Sequence, residues 1–165
     1  MLADIEAGRN GVGVTAYFAW LYDANYRDAA AHDGPDRVIF LEGARITLEA
    51  HMAEYPADWH PRLRHVVAIG DAWKPDKTIV LTSSTDTIEK HIRRRNRPHE
   101  DVENMVRRFR LIDDDFRRLA PTYSNTVVID RDRMEFHDRD DLARIVQAAG
   151  LPMFREIPYE ILQTE

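Results

Sequence analysis

The chain has 165 residues, 29 acidic and 23 basic, with a formal net charge of −6, and is 44% hydrophobic and 32% charged. That size and balance fit one globular domain over residues 1–165, while the net acidity argues against a general nucleic-acid binder. There is no cysteine, which excludes disulfides and thiolate chemistry; no apolar run approaches the ~20 residues that span a bilayer and no leader pattern opens the chain, so a cytoplasmic protein without membrane contact is expected.

Val14 to Ala31, rich in alanine and aromatics, predicts a helix stopped by His32-Asp33-Gly34-Pro35. Arg37 to Glu42 contains the continuous apolar run Val38-Ile39-Phe40-Leu41, the pattern of a strand buried on both faces. Helices are predicted over Ala44 to Tyr55, stopped by Pro56, and over Pro61 to Ala72. Lys77 to Ser83 predicts a second buried strand. Ser84 then suits an N-cap, and Asp86 places negative charge in the first turn of a helix reaching about Arg94.

The run Ile92-Arg93-Arg94-Arg95-Asn96-Arg97-Pro98-His99-Glu100 sits between that helix and the next, Glu100 to Leu119. In the latter, Val102, Met105, Val106, Phe109, Ile112, Phe116 and Leu119 form an amphipathic stripe. Thr126-Val127-Val128-Ile129 predicts a third strand, Asp140 to Ala149 a last helix ending at Gly150, and Leu151 to Glu165 an irregular arm. Three apolar strands separated by helices point to an α/β fold with a parallel β-sheet flanked by helices. Ligands of such sheets bind beyond the carboxyl ends of the strands, where Glu42, Ser83-Ser84 and Asp130-Arg131 are expected.

Arginine presents a planar fork of donors that suits phosphate oxygens. Arg93, Arg95 and Arg97 on a hinge between two helices therefore suggest a lid over about 91–101 that closes on a polyphosphate. The other reading is a basic corner that complements a helix C-terminus. The nine arginines from Arg93 to Arg118 would also suit an arginine-helix nucleic-acid binder, disfavoured by the overall acidity. Tyr17, Trp20 and Tyr22 suit base stacking, a core or a dimer face. Asp113-Asp114-Asp115 point in different directions on a helix and read as a solvated face paired with nearby arginines. The seven histidines show no ligand spacing, and no structural metal is expected.

Taken together, the strand Ile79-Val80-Leu81, a serine-opened helix, Arg95-Asn96-Arg97-Pro98-His99-Glu100, a long amphipathic helix, and Ile129-Asp130-Arg131-Asp132 followed by Met134-Glu135-Phe136 resemble the C-terminal half of the deoxynucleoside kinases, relatives of thymidylate kinase. The resemblance covers Ile79 to Leu151. It implies a P-loop nucleoside or nucleotide kinase-like fold, ATP and Mg²⁺ as cofactors, and phosphoryl transfer to a (deoxy)nucleoside or nucleotide. It implies Arg93, Arg95 and Arg97 on phosphate, with Arg95 also catalytic, and Glu100 near the sugar hydroxyl. Thr15 to Arg27 is similar to the family's aromatic-rich helix lining the nucleoside pocket, which implies Tyr17 and Trp20 at the substrate, although no glutamine stands there to read a base. Glu42-Gly43-Ala44-Arg45 stands where the family has Asp/Glu-Arg-Ser; Glu42 would activate the hydroxyl and Arg45 is a displaced counterpart of the catalytic arginine. The family also implies a homodimer through the central helices.

Kinases of this kind need Gly-x-x-x-x-Gly-Lys-Ser/Thr, whose backbone N–H groups and lysine hold phosphates and whose hydroxyl holds Mg²⁺. Gly8-Arg9-Asn10-Gly11-Val12-Gly13-Val14-Thr15 has the glycines and the threonine at that spacing, with Val14 in the lysine position. Either this is a degenerate phosphate loop, with Gly13 and Thr15 beside the phosphates, or it is a glycine-rich approach to the aromatic helix, and the first strand, loop and helix are absent. The single helix between Gly13 and Val38 favours the second. Losing one preorganised electrostatic stabiliser costs about 3 kcal/mol of barrier, so two functional outcomes follow: an active kinase, or a catalytically inactive, kinase-like nucleotide- or partner-binding protein.

Overall fold

Apolar residues at three- and four-residue spacings over most of the chain make helices the dominant element. The computed structural model describes residues 11–34, 38–95, 97–98, 101–134 and 138–151. Helix α1 spans Gly11–Ala31, α2 Arg45–His51, α3 His60–Val67, α4 Thr85–Arg95, α5 Val102–Leu119 and α6 Arg139–Ala148. Strands β1 (Thr78–Thr82) and β2 (Thr126–Asp130) pair in parallel, with Thr78 opposite Thr126 and Thr82 opposite Asp130. The architecture is α/β, a two-stranded parallel sheet flanked by helices. Among the described residues no helix is long and apolar enough to cross a membrane.

Helix α2 organises the packing although it is short. Ile46 on one side joins Val80 of β1 and Ala120 after α5, with Phe116, Leu119 and Tyr123 around them. Leu48 on another side joins Ala19 of α1, Val67 of α3 and Trp73, with Tyr22, Tyr26, Met52 and Val66 around them. Fully burying one such aliphatic side chain contributes about 1.5–3 kcal/mol. The helix ends are fixed locally: Asp101 caps α5 by accepting from the Asn104 N–H at 3.1 Å, and Asp138 caps α6 by accepting from the Asp140 N–H at 2.7 Å. Gly150 ends α6 with φ +74.

The third predicted strand is the main correction. Val38 to Leu41 forms no strand, and Val38, Ile39 and Phe40 are 49%, 41% and 72% exposed. Among the described residues nothing pairs with this run, and Gly43 turns the chain immediately after it. Gly43 has φ +84, and a Cβ there would stand 2.3 Å from the Tyr22 ring, so only glycine fits this turn. Two predicted helices also tighten into 3₁₀ turns, Met52–Glu54 after α2 and Ala68–Ala72 after α3. The predicted arm beyond Leu151 lies outside the described residues.

Candidate functional site

The two strands end side by side, and their continuations are cross-linked. After β1, the Ser83 N–H donates to Asp113 Oδ1 of α5 at 2.8 Å, and the Ser84 N–H donates to Asp132 Oδ1 after β2 at 2.6 Å. Arg131 donates from its backbone N–H to the Thr82 carbonyl at 2.9 Å, and from its Nε to Ser83 Oγ. Arg117 donates to Asp113 Oδ2 at 2.8 Å. Thr82 is fully buried, and its Oγ1 has no hydrogen-bond partner among the described residues.

Charge is balanced within this network. The Ser84 backbone N–H holds the Asp132 carboxyl below its ordinary range, and the Ser84 and Thr87 side chains and Arg117 act in the same direction. Asp132 thereby places a carboxylate at the N-terminus of α4, where the helix dipole favours it. The hydrogen bond to Asp113 raises the Arg117 guanidinium further above its ordinary value, helped by Asp130 and Asp132.

Above the strand ends rises a helical hairpin. The last turns of α5 and the residues just after it pack on Val80 and Ile46, and Asp113 meets the tip of β1. The stretch of α5 from Val102 to Asp113 leads away from that contact, with α5 packed against α4 and α2 and Arg108 tied to Glu54 after α2. Helix α4 has 11 residues, which at 1.5 Å per residue puts Arg95 about 16 Å from the root. Arg93 pairs with Glu89 one turn back at 2.6 Å. Arg93, Arg94, Arg95 and Arg97 are all exposed. The arginines thus crown the hairpin instead of lining the strand tips. Asn96, His99 and Glu100 lie outside the described residues.

The remaining expected site residues fall in separate places. Glu42 is exposed in the irregular segment before α2. Its neighbour is Tyr22, whose hydroxyl pKa is raised first by burial and then by the Glu42 charge. With no strand over Val38 to Leu41, Glu42 does not stand at a strand end. Arg45 opens α2 toward the opposite end of the sheet, where it meets Asp71 at 2.9 Å and Glu49 at 3.0 Å. Gly13 and Thr15 belong to the first turns of α1, and Thr15 Oγ1 donates to the Gly11 carbonyl at 2.8 Å. Gly11 packs against Tyr55 and Trp59. Tyr17 and Trp20 lie on the exposed face of α1, their rings 6.2 Å apart.

Sequence reasoning missed two anchoring carboxylates. The aspartate triplet does pair with arginines, but Asp113 is 9% exposed and turns inward to β1 beside Ile112. Its position on the apolar stripe was the available signal. Glu54 has a side chain only 4% exposed, held between His51 and Arg108, the latter at 2.5 Å. Burial alone would raise the Glu54 pKa, but His51 and Arg108 outweigh it and hold the carboxyl below its ordinary value. No local signal marks that contact, because Arg108 is 54 residues away.

No protein-family model, curated protein or solved structure matches this chain. Among the described residues, no three histidine or carboxylate groups converge in a way that could hold a metal ion.

Proposed function

We propose that this chain is a kinase-like α/β domain that binds a nucleotide without transferring its phosphate. One observation supports the reading most directly: a helical hairpin rooted at the carboxyl ends of two parallel strands carries arginines at its tip. A nucleotide bound at the hairpin tip would present phosphate oxygens to Arg93, Arg95 and Arg97, whose forks suit bidentate contact. Arg93 would exchange Glu89 for phosphate at little cost, since exposed i,i+4 pairs contribute only about 0.3–0.5 kcal/mol.

The transfer apparatus is another matter. Gly11 to Thr15 is helix, valine stands in the lysine position, and the threonine hydroxyl is engaged by the Gly11 carbonyl. These residues do not fit a triphosphate with its Mg²⁺. Glu42 and Arg45 have no part in this reading, because they stand away from the hairpin tip and from each other's partners.

Calorimetric titration of the full chain with ATP and ADP, with and without Mg²⁺, tests the proposal. Binding is expected, weakened about tenfold or more by Arg95→Glu together with Arg97→Glu. Absence of both heat and thermal shift at millimolar nucleotide would sink it. Formation of a phosphorylated nucleoside from labelled ATP would replace it with the active-kinase reading.

A further inference from the structure

A second opening lies at the amino ends of the strands, on the side of the sheet away from the hairpin. It is a cavity of about 480 Å³ whose walls come from α1, the start of α2, the turn after α3, and the loop before β2. That volume falls within the roughly 300–1,000 Å³ of small-molecule sites. We propose that this cavity binds a small aromatic carboxylate.

Among the described residues the walls set one cation without an ion pair, Lys74, beside a carboxylate in excess of Arg45, which favours a ligand of one negative charge over one of two. Arg45 is neutralised by Glu49 at 3.0 Å and Asp71 at 2.9 Å. Lys74 also lines the cavity and forms no ion pair among the described residues. One cation is therefore left for a ligand. Asp71, with a side chain 60% exposed at the rim, repels a second negative charge. A phosphate dianion or a polyphosphate is disfavoured on this ground, which separates the cavity from the nucleotide reading above.

The rest of the wall suits a ring. Tyr26 stacks on Trp73 with centroids 5.1 Å apart and planes 5° apart, and both residues line the cavity together with Ile46 and Pro75. The stack is held in place because the Trp73 indole N–H donates to Asp23 at 3.1 Å. The Tyr123 hydroxyl donates to Glu49 at 2.7 Å, and burial together with that bond keeps the phenol protonated well above its ordinary range. Thr78 and Ser124 also line the cavity, and their hydroxyls are further donors for a carboxylate.

The test uses the full chain, with benzoate as probe and the Trp73 indole N–H resonance as reporter. Benzoate should shift that resonance saturably, with neutral benzamide and dianionic phenyl phosphate each binding about tenfold more weakly or worse. Lys74→Glu should abolish benzoate binding, Lys74→Arg should retain it, and Asp71→Asn should bring phenyl phosphate closer to benzoate. ATP binding should be unchanged in all three variants, so a failure here is distinguishable from failure at the hairpin. Equal binding of benzamide, undiminished binding by Lys74→Glu, or no saturable shift at all would overturn the proposal.

Discussion

Val38-Ile39-Phe40-Leu41 and Thr126-Val127-Val128-Ile129 have nearly the same chemistry and opposite fates. The second is β2, paired along its length with β1, and Ile129 is 8% exposed. It is also tethered at both ends, by the Asn125 side chain to the Pro75 carbonyl and by Asp132 to Ser84. Among the described residues the first run has no strand partner, and three of its four residues are exposed. The difference lies in what is delivered alongside each run. Helices α4 and α5 pack together and carry β2 back to β1, whereas a glycine turn under Tyr22 leads the earlier run straight into α2. Strand preference mainly measures fit to cross-strand neighbours, and only one of these runs has any.

The widest separation between the two runs should appear in stability. Ile129→Ala removes a buried side chain and should cost about 2–5 kcal/mol in chemical denaturation. Ile39→Ala, at an exposed position, should fall within about 0.5 kcal/mol of the parent. Comparable losses at both positions would mean that Val38 to Leu41 is buried in solution after all.

Much of the fold was legible because most elements are specified locally. The stripe from Val102 to Leu119, the apolar runs of β1 and β2, and the caps at Ser84 and Gly150 all lie within a few residues of the elements they define, although Val128 of β2, expected to be buried, is 42% exposed. The failures have a common cause. Whether Val38 to Leu41 is a strand depends on a partner chosen by tertiary packing. The inward turn of Asp113 depends on a backbone donor 30 residues away. The candidate site was legible in its residue types and much less in its geometry. The arginine run was evident, but its height above the strand tips follows from the lengths of α4 and α5. Glu42 was expected at a strand end because it closes an apolar run, and without that strand it stands in the irregular segment before α2.

Glu54 extends the comparison from strands to charges, since it too depends on a distant partner. Arg108→Ala leaves a carboxylate of 4% exposure with His51 alone. Breaking a buried pair costs about 3–5 kcal/mol, and because Arg108 is itself one-third exposed the expected loss is nearer about 2 kcal/mol. The pH dependence has a definite sign. The folded pKa of Glu54 lies below the ordinary 4.5. Its contribution is therefore fully present above that value and lost as pH falls through the folded value. Glu54→Gln should flatten the acid limb of a stability-versus-pH curve, and an unchanged limb would place that carboxylate in water.

The smallest effect concerns the root of the hairpin, where a distant tie can be set against a local one on the same helix. Asp132 caps α4 from 48 residues away, whereas Glu89 meets Arg93 within the helix. Asp132 is largely exposed, so its charge is screened, and Asp132→Ala should cost about 0.5–1 kcal/mol through the lost cap. Glu89→Ala should cost about 0.2–0.5 kcal/mol, the range of a single i,i+4 pair. Hydrogen exchange distinguishes them further. Losing Asp132 should expose the Ser84 amide while leaving the tip of α4 unchanged, and losing Glu89 should do neither. If the two variants behaved alike, the strand ends would not be cross-linked through Asp132. The hairpin would then stand on α5 packing alone, and β2 would lose one of the two tethers that set it apart from the unpaired run.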